Sequence, residues 1–178
     1  MGSLNQDLAK SSAKQINTKG STSENMVTEA EVKMALENWG QGLVSIANAF
    51  ANKNDYKKIA TEVIKNNYAY ETEPVLFKPT LASNIMFRTT FEGALSYFIG
   101  GNEKFSEDNG FALNPWKAVN FDLAGIKTGK DHAIVMGNKL LTDKNGKLTI
   151  ANFTMGFTKA NDGTLKINLH HSSLPYKP

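Results

Sequence analysis

The residues best able to do chemistry stand near the end of the chain, in Leu169-His170-His171-Ser172-Ser173-Leu174-Pro175-Tyr176. An imidazole can move a proton near neutral pH, and serine hydroxyls can orient a small oxygen-bearing ligand. Thr164 to Leu169 alternates polar and apolar side chains, so Leu165, Ile167 and Leu169 share the buried face of a strand. A period of two carries that face on to His171 and Ser173, and turns His170 and Ser172 toward solvent or a subunit contact. Two adjacent histidines of one strand therefore cannot serve one site. The third histidine, His132, reads as an ordinary strand residue, so a three-histidine zinc site cannot be assembled. The absence of cysteine removes thiolate metal sites, disulfides and a cysteine nucleophile together. Glu107 and Asp108 read as a solvated loop rather than a metal pair, and Arg88 as a member of a surface ion pair.

The elements that must position these groups follow from patterning. With 178 residues, 40% of them hydrophobic and 10% aromatic, the chain is long enough for one domain with a sizeable core. The net charge of +3 is scattered, giving neither a nucleic-acid stripe nor a membrane anchor. No run approaches the roughly 20 apolar residues of a membrane span, and the first 26 residues lack the apolar centre of a signal peptide. Residues 1–26 read as a disordered arm, with Met1-Gly2-Ser3 resembling an expression-vector remnant, and residues 27–178 as a single domain.

Thr28-Glu29-Ala30-Glu31 is a capping box opening a long helix, whose stripe is Val32, Leu36, Trp39, Leu43, Ile46 and Phe50. A shorter helix is expected over 56–66. Glu73 to Pro79 reads as a short edge strand bounded by prolines. Thr89-Thr90-Phe91-Glu92 reads as a second capping box, opening a helix that stops at Gly100-Gly101. Strands follow at about 116–122, 132–142, 148–159 and 164–173, joined by Asn/Asp/Gly turns. Helices followed by a meander argue for α+β, a long N-terminal helix packed on a curved, mainly antiparallel sheet. No phosphate loop, dinucleotide fingerprint or nucleophile elbow is present, which excludes the common nucleotide and serine-hydrolase chemistries.

Several blocks in order are more specific than any one of them: Lys78-Pro79-Thr80-Leu81-Ala82, Glu92 to Asn102 (EGALSYFIGGN), Glu107-Asp108-Asn109-Gly110-Phe111-Ala112, Met136-Gly137-Asn138, and His170 to Pro175. Together, over roughly residues 27 to 176, they resemble the iota-class carbonic anhydrases. That family belongs with the calcium/calmodulin-dependent protein kinase II association domains, in the cone-shaped nuclear transport factor 2-like fold. The resemblance implies a cone-shaped half-barrel that reversibly hydrates carbon dioxide to bicarbonate, in some members without a metal or other cofactor. It also implies that Thr80, Tyr97 and Ser173 bind substrate and take part in catalysis, with His171 beside them; Tyr70 or Tyr176 could supply the phenol instead of Tyr97. It points to a plastid or the periplasm, should a targeting peptide have been removed.

A metal lowers the pKa of bound water from 15.7 to about 7; without one, positioned hydroxyls and a base must do that work, and a slower catalyst is expected. His171 is the candidate base, since an imidazole ordinarily titrates at about 6.5. Two other readings share the fold: a non-catalytic association module, and an isomerase or dehydratase using His171 with a carboxylate, for which only Asp122 approaches an inward position. Outward side chains around Phe153 to Phe157 are expected to support a homodimer.

Overall fold

A computed structural model describes residues 26–178; apart from Met26, the expected N-terminal arm lies outside the described residues. Helix α1, Glu29–Ala51, begins at the capping box read from the sequence: the Glu31 amide donates to Thr28 Oγ1 at 3.2 Å and the Thr28 amide to Glu31 Oε2 at 2.7 Å. Val32, Leu36, Trp39, Leu43 and Ile46 are buried along one stripe, whereas Phe50, beyond the edge of the core, is exposed and packs edge-on against Tyr56. Helix α2, Tyr56–Asn67, is capped by Asp55, and α3, Phe91–Ile99, by Thr90. The second capping box does not form: the N-cap is Thr90, one residue later than expected, which puts Gly93 where the reciprocating Glu92 was expected. Thr90 Oγ1 accepts from the Gly93 amide, and Glu92 instead receives the side chain of Asn102. Gly100, at φ 68°, ends α3 where a side chain would be strained.

The strands are β1, Leu76–Lys78, β2, Trp116–Thr128, β3, His132–Asp143, β4, Leu148–Lys159, and β5, Leu165–Ser173, in the spatial order β1-β5-β4-β3-β2. β2 to β5 form an antiparallel meander, and β1 lies parallel to β5 at the edge, where the prolines around it cost no ladder bonds. The fold is thus α+β, with helices packed on an open, curved sheet. The β4 expectation needs correcting: Phe153, Met155 and Phe157 are all buried in the core, and the outward apolar residues are instead Ile134, Met136, Leu148 and Ile150. Asp122 is exposed rather than inward.

Of the three register shifts in the sheet, two bear on the site. Between Gly156 and Phe157 of β4, β5 advances from Leu169 to Ile167, so Asn168 is the extra residue. A Cβ on Gly156 would stand 2.9 Å from Leu169 Cβ and 3.0 Å from Asn168 Oδ1, so the bulge fits only because its partner is glycine. An extra residue reverses the alternation downstream. Ile167 stays inside, but His170 and Ser172 now point inward and His171 and Ser173 outward, contrary to the strict period of two. A second bulge, at Ala124, faces Gly137, whose Cβ would meet the Asp122 carbonyl, and it lets β2 run six residues past its expected end.

Candidate active site

The hydroxyls expected to act together are divided by the sheet. Thr80 and Tyr97 are on the helix side, where Ser172 joins them. Thr80 follows β1 across Pro79, and β1 pairs with β5 so that Phe77 meets His170 and Lys78 meets His171. That register carries Thr80 Oγ1 to Ser172 Oγ, to which it donates at 2.8 Å; Ser172 Oγ in turn donates to the Asn152 carbonyl at 3.1 Å. Tyr97, on α3, stacks on Phe111 at 5.3 Å and holds its hydroxyl beside Thr80 and the Leu81 backbone. Burial pushes the Tyr97 phenol pKa upward, and these neighbours draw it partway back. Its oxygen is the one buried hydroxyl among the described residues with no hydrogen-bond partner. The Leu81 backbone and Thr80 lie within reach of this oxygen, but neither meets it in full hydrogen-bond geometry, so the neutral phenol keeps a proton it can donate. Thr80 also lines a cavity of about 310 Å³ with Leu81, Phe111, Trp116, Leu141 and Ala151. Tyr70 and Tyr176 do not offer this phenol: Tyr70 donates to the Arg88 carbonyl at 2.6 Å, and Tyr176 is 88% exposed.

Behind this cluster lies His170, which is 1% exposed. Its ring stacks on Phe77 at 4.8 Å, Nδ1 meets the Tyr68 hydroxyl at 2.8 Å, and Nε2 meets Lys139 Nζ at 3.2 Å. Burial, reinforced by Lys139, holds its pKa well below the ordinary histidine value, so it is a neutral imidazole at neutral pH. The expectation of a solvent-facing His170 is therefore corrected, and the cause is the Asn168 bulge.

The loop bearing Thr80 is tied down by groups read from sequence as surface. Arg88 is fully buried and donates to Asp108 at 2.8 Å, with Glu107 3.5 Å away and the Phe105 ring 4.6 Å from the guanidinium carbon. Asp108 also accepts from Ser96 at 2.7 Å, next to Tyr97 on α3. Glu107 accepts from the amides of Ser83, Asn84 and Ile85, which hold its pKa down to about 2. Neither carboxylate is a solvated loop group, and the pair fixes Thr80 against Tyr97 through the 81–88 segment.

His171 and Ser173 lie across the sheet in a separate outer groove of about 340 Å³, with Asn138, Asn152 and Met136. A row of polar side chains crosses it, Asn152 donating to Asn138 at 2.7 Å and Asn138 to Asp122 at 3.4 Å. Sequence reasoning missed Ser172, His170, Tyr68 and Lys139. The available signals were Gly156 and Asn168, a glycine and a polar residue inside facing strands, which together mark a bulge.

Comparison with known proteins agrees with this arrangement of elements. A family profile described as metal-independent carbonic anhydrase matches residues 30–174. A curated metal-independent carbonic anhydrase of Nostoc sp. (strain PCC 7120 / SAG 25.82 / UTEX 2576) is 46% identical over 154 residues, 85% of this chain and 75% of that protein. The crystal structure of a cyanobacterial iota-carbonic anhydrase complexed with bicarbonate superimposes with a TM-score of 0.84 at 45% identity, covering 86% of this chain and 95% of that one. A calcium/calmodulin-dependent protein kinase II association domain from Xanthomonas campestris, at 23% identity and a TM-score of 0.57, covers 85% of this chain and 91% of its own and shares the fold. By the extent of the profile match and the identity to the curated relative, the chain belongs to the metal-independent carbonic anhydrase family.

Proposed function

We propose that this chain reversibly hydrates carbon dioxide to bicarbonate without a metal, at the inner cluster of Thr80, Tyr97 and Ser172 with His170 behind it. The observation that carries the reading is the uncommitted Tyr97 hydroxyl beside Thr80, in a chain of this family. Thr80 spends its proton on Ser172, and Ser172 spends its own on Asn152, so the Thr80 oxygen is left to accept a hydrogen from the attacking water. Such a chain polarises along its length and fixes the nucleophile. As the water oxygen bonds to carbon, one carbonyl electron pair passes to oxygen, and the Tyr97 O–H meets the charge that develops there. His170, neutral and clamped by Phe77, whose ring also meets that of Tyr97, shapes the wall behind the cluster. His171 and Ser173, on the outer face, take no part in this scheme.

Tyr97→Phe removes the donor while keeping the ring stacked on Phe111, and is expected to lower the hydration rate about a hundredfold, as loss of one preorganised oxyanion donor does. Ser173→Ala and His171→Ala are expected to stay within about twofold of the parent. A stopped-flow assay with a pH indicator reads both, with circular dichroism to verify folding. Full activity in Tyr97→Phe, or a collapse in Ser173→Ala, would overturn the assignment. The outward row of Ile134, Met136, Leu148 and Ile150 supports a homodimer formed sheet to sheet. Light scattering is expected to report twice the chain mass, and a monomer at tens of micromolar would contradict it.

A further inference from the structure

Lys139 is the least expected residue in the core. It is 1% exposed, on the inner face of β3, and no carboxylate among the described residues pairs with it. Its Nζ meets only His170 Nε2, at 3.2 Å, and the face of Trp39, 4.9 Å from the ring centroid. An unpaired buried ammonium is costly, and a structural core position would be filled more stably by methionine or leucine. The surrounding hydrogen bonds have a direction. Trp39 Nε1–H can only donate, and does so to the Tyr68 oxygen at 3.0 Å. The Tyr68 proton is then directed to His170 Nδ1, which leaves the imidazole proton on Nε2, facing Lys139. With that tautomer the contact closes when Nζ is a neutral amine with a lone pair to accept; with the opposite tautomer an ammonium Nζ donates to Nε2. The series Trp39, Tyr68, His170, Lys139 thus ends on an uncharged lysine beneath the cavity. Leu141, two residues on along the same face, and Ala151, its partner on β4, both line that cavity.

Resting on the reading of the cavity as a bicarbonate site, we propose that Lys139 is the proton store and buried counter-charge of the reaction. Hydration turns neutral water and carbon dioxide into an anion and a proton. If the proton ends on Nζ, the products are bicarbonate in the cavity and a lysine cation behind its wall, and net charge is conserved in a region that tolerates no lone charge. The wire can carry it as a relay: the imidazole gives its Nε2 proton to Nζ and takes the Tyr68 hydroxyl proton at Nδ1, the proton released by hydration replaces the one Tyr68 has lost, and the resulting ammonium donates to the bare Nε2. Trp39's face then meets a cation. The groups facing Lys139 are Trp39 from α1, Phe121 from β2, Ala151 from β4 and His170 from β5, with Tyr68 behind the imidazole. None of these is acidic, so the bound anion is the natural partner. Burial holds the amine down to about 7, within reach of a proton at physiological pH. Lys139 acts on the site through His170 and through charge, as a positioning and proton-holding residue.

The test is NMR of lysine side-chain carbon and nitrogen in the full chain, with Lys139 assigned by its absence from Lys139→Met or Lys139→Gln, titrated with and without saturating 13C-bicarbonate. The expected midpoint is near neutrality without bicarbonate and higher by about one pH unit with it, the scale of one charge several ångströms away at intermediate dielectric. Lys139→Met is expected to lower the hydration rate at least tenfold and flatten its pH dependence around neutrality. The same samples report carbon dioxide–bicarbonate exchange by line broadening. A Lys139 midpoint unmoved by bicarbonate while exchange persists overturns the proton store alone. Absence of exchange in the parent protein overturns the underlying site reading, and an unmoved midpoint without exchange overturns both.

Discussion

Replacing Lys139 with methionine tests the energetic side of the account independently of catalysis. The amine is held at about 7 in the folded protein against its ordinary 10.5, with burial as the cause. Because the folded state binds this proton less tightly than the unfolded chain, the lysine destabilises the fold. The penalty is complete below pH 7, shrinks as pH rises from 7 to 10.5, and vanishes above. Three and a half pH units at about 1.36 kcal/mol each give a ceiling of about 5 kcal/mol, and water reaching the opened cavity will lower it. Lys139→Met abolishes the proton but keeps the volume, losing the contacts to His170 and to the Trp39 face. Urea unfolding of both proteins at pH 7, 8, 9 and 10 isolates the effect, since all other titrating groups cancel in the difference. The variant is expected to be relatively more stable at pH 7 than at pH 10 by up to about 3–4 kcal/mol. A difference that does not change with pH would refute a neutral buried amine.

Asp108→Ala leaves the buried Arg88 guanidinium without its closest acceptor and is expected to destabilise the fold by about 3–5 kcal/mol, lowering Tm and loosening the Thr80 loop; unchanged thermal unfolding would count against the clasp. Gly156→Val drives a branched side chain into Leu169 and Asn168 and is expected to cost about 1–3 kcal/mol in chemical denaturation while lowering activity through the shifted His170 and Ser172. A neutral outcome would mean that the bulge does not set their orientation.

Much of the architecture was legible because it rests on local signals. The Thr28–Glu31 box, the Val32 to Ile46 stripe, and the Asn/Asp/Gly turns each act within a few residues, and α1 and the meander follow from them. Thr80 and Tyr97 were legible through the sequence blocks around them. What failed was phase. The alternation read from Leu165 onward is broken by one residue, Asn168, and whether that residue bulges depends on Gly156, twelve positions earlier on another strand. The same non-locality hid Arg88 and Asp108, charged groups that pair only after α3 and its following loop come together. Lys139 was invisible for a different reason. A lysine between polar and apolar strand residues reads as surface, and only the assembled cage of Trp39, Tyr68 and His170 gives it a reason to be inside.

The central claim is hydration of carbon dioxide by organic groups alone. Its most direct test is the stopped-flow hydration rate of the parent protein after exhaustive treatment with a strong chelator, with elemental analysis confirming that no metal remains in stoichiometric amount. The account predicts an unchanged rate that falls about a hundredfold in Tyr97→Phe handled identically. Activity that disappears on chelation and returns with zinc or manganese would contradict it.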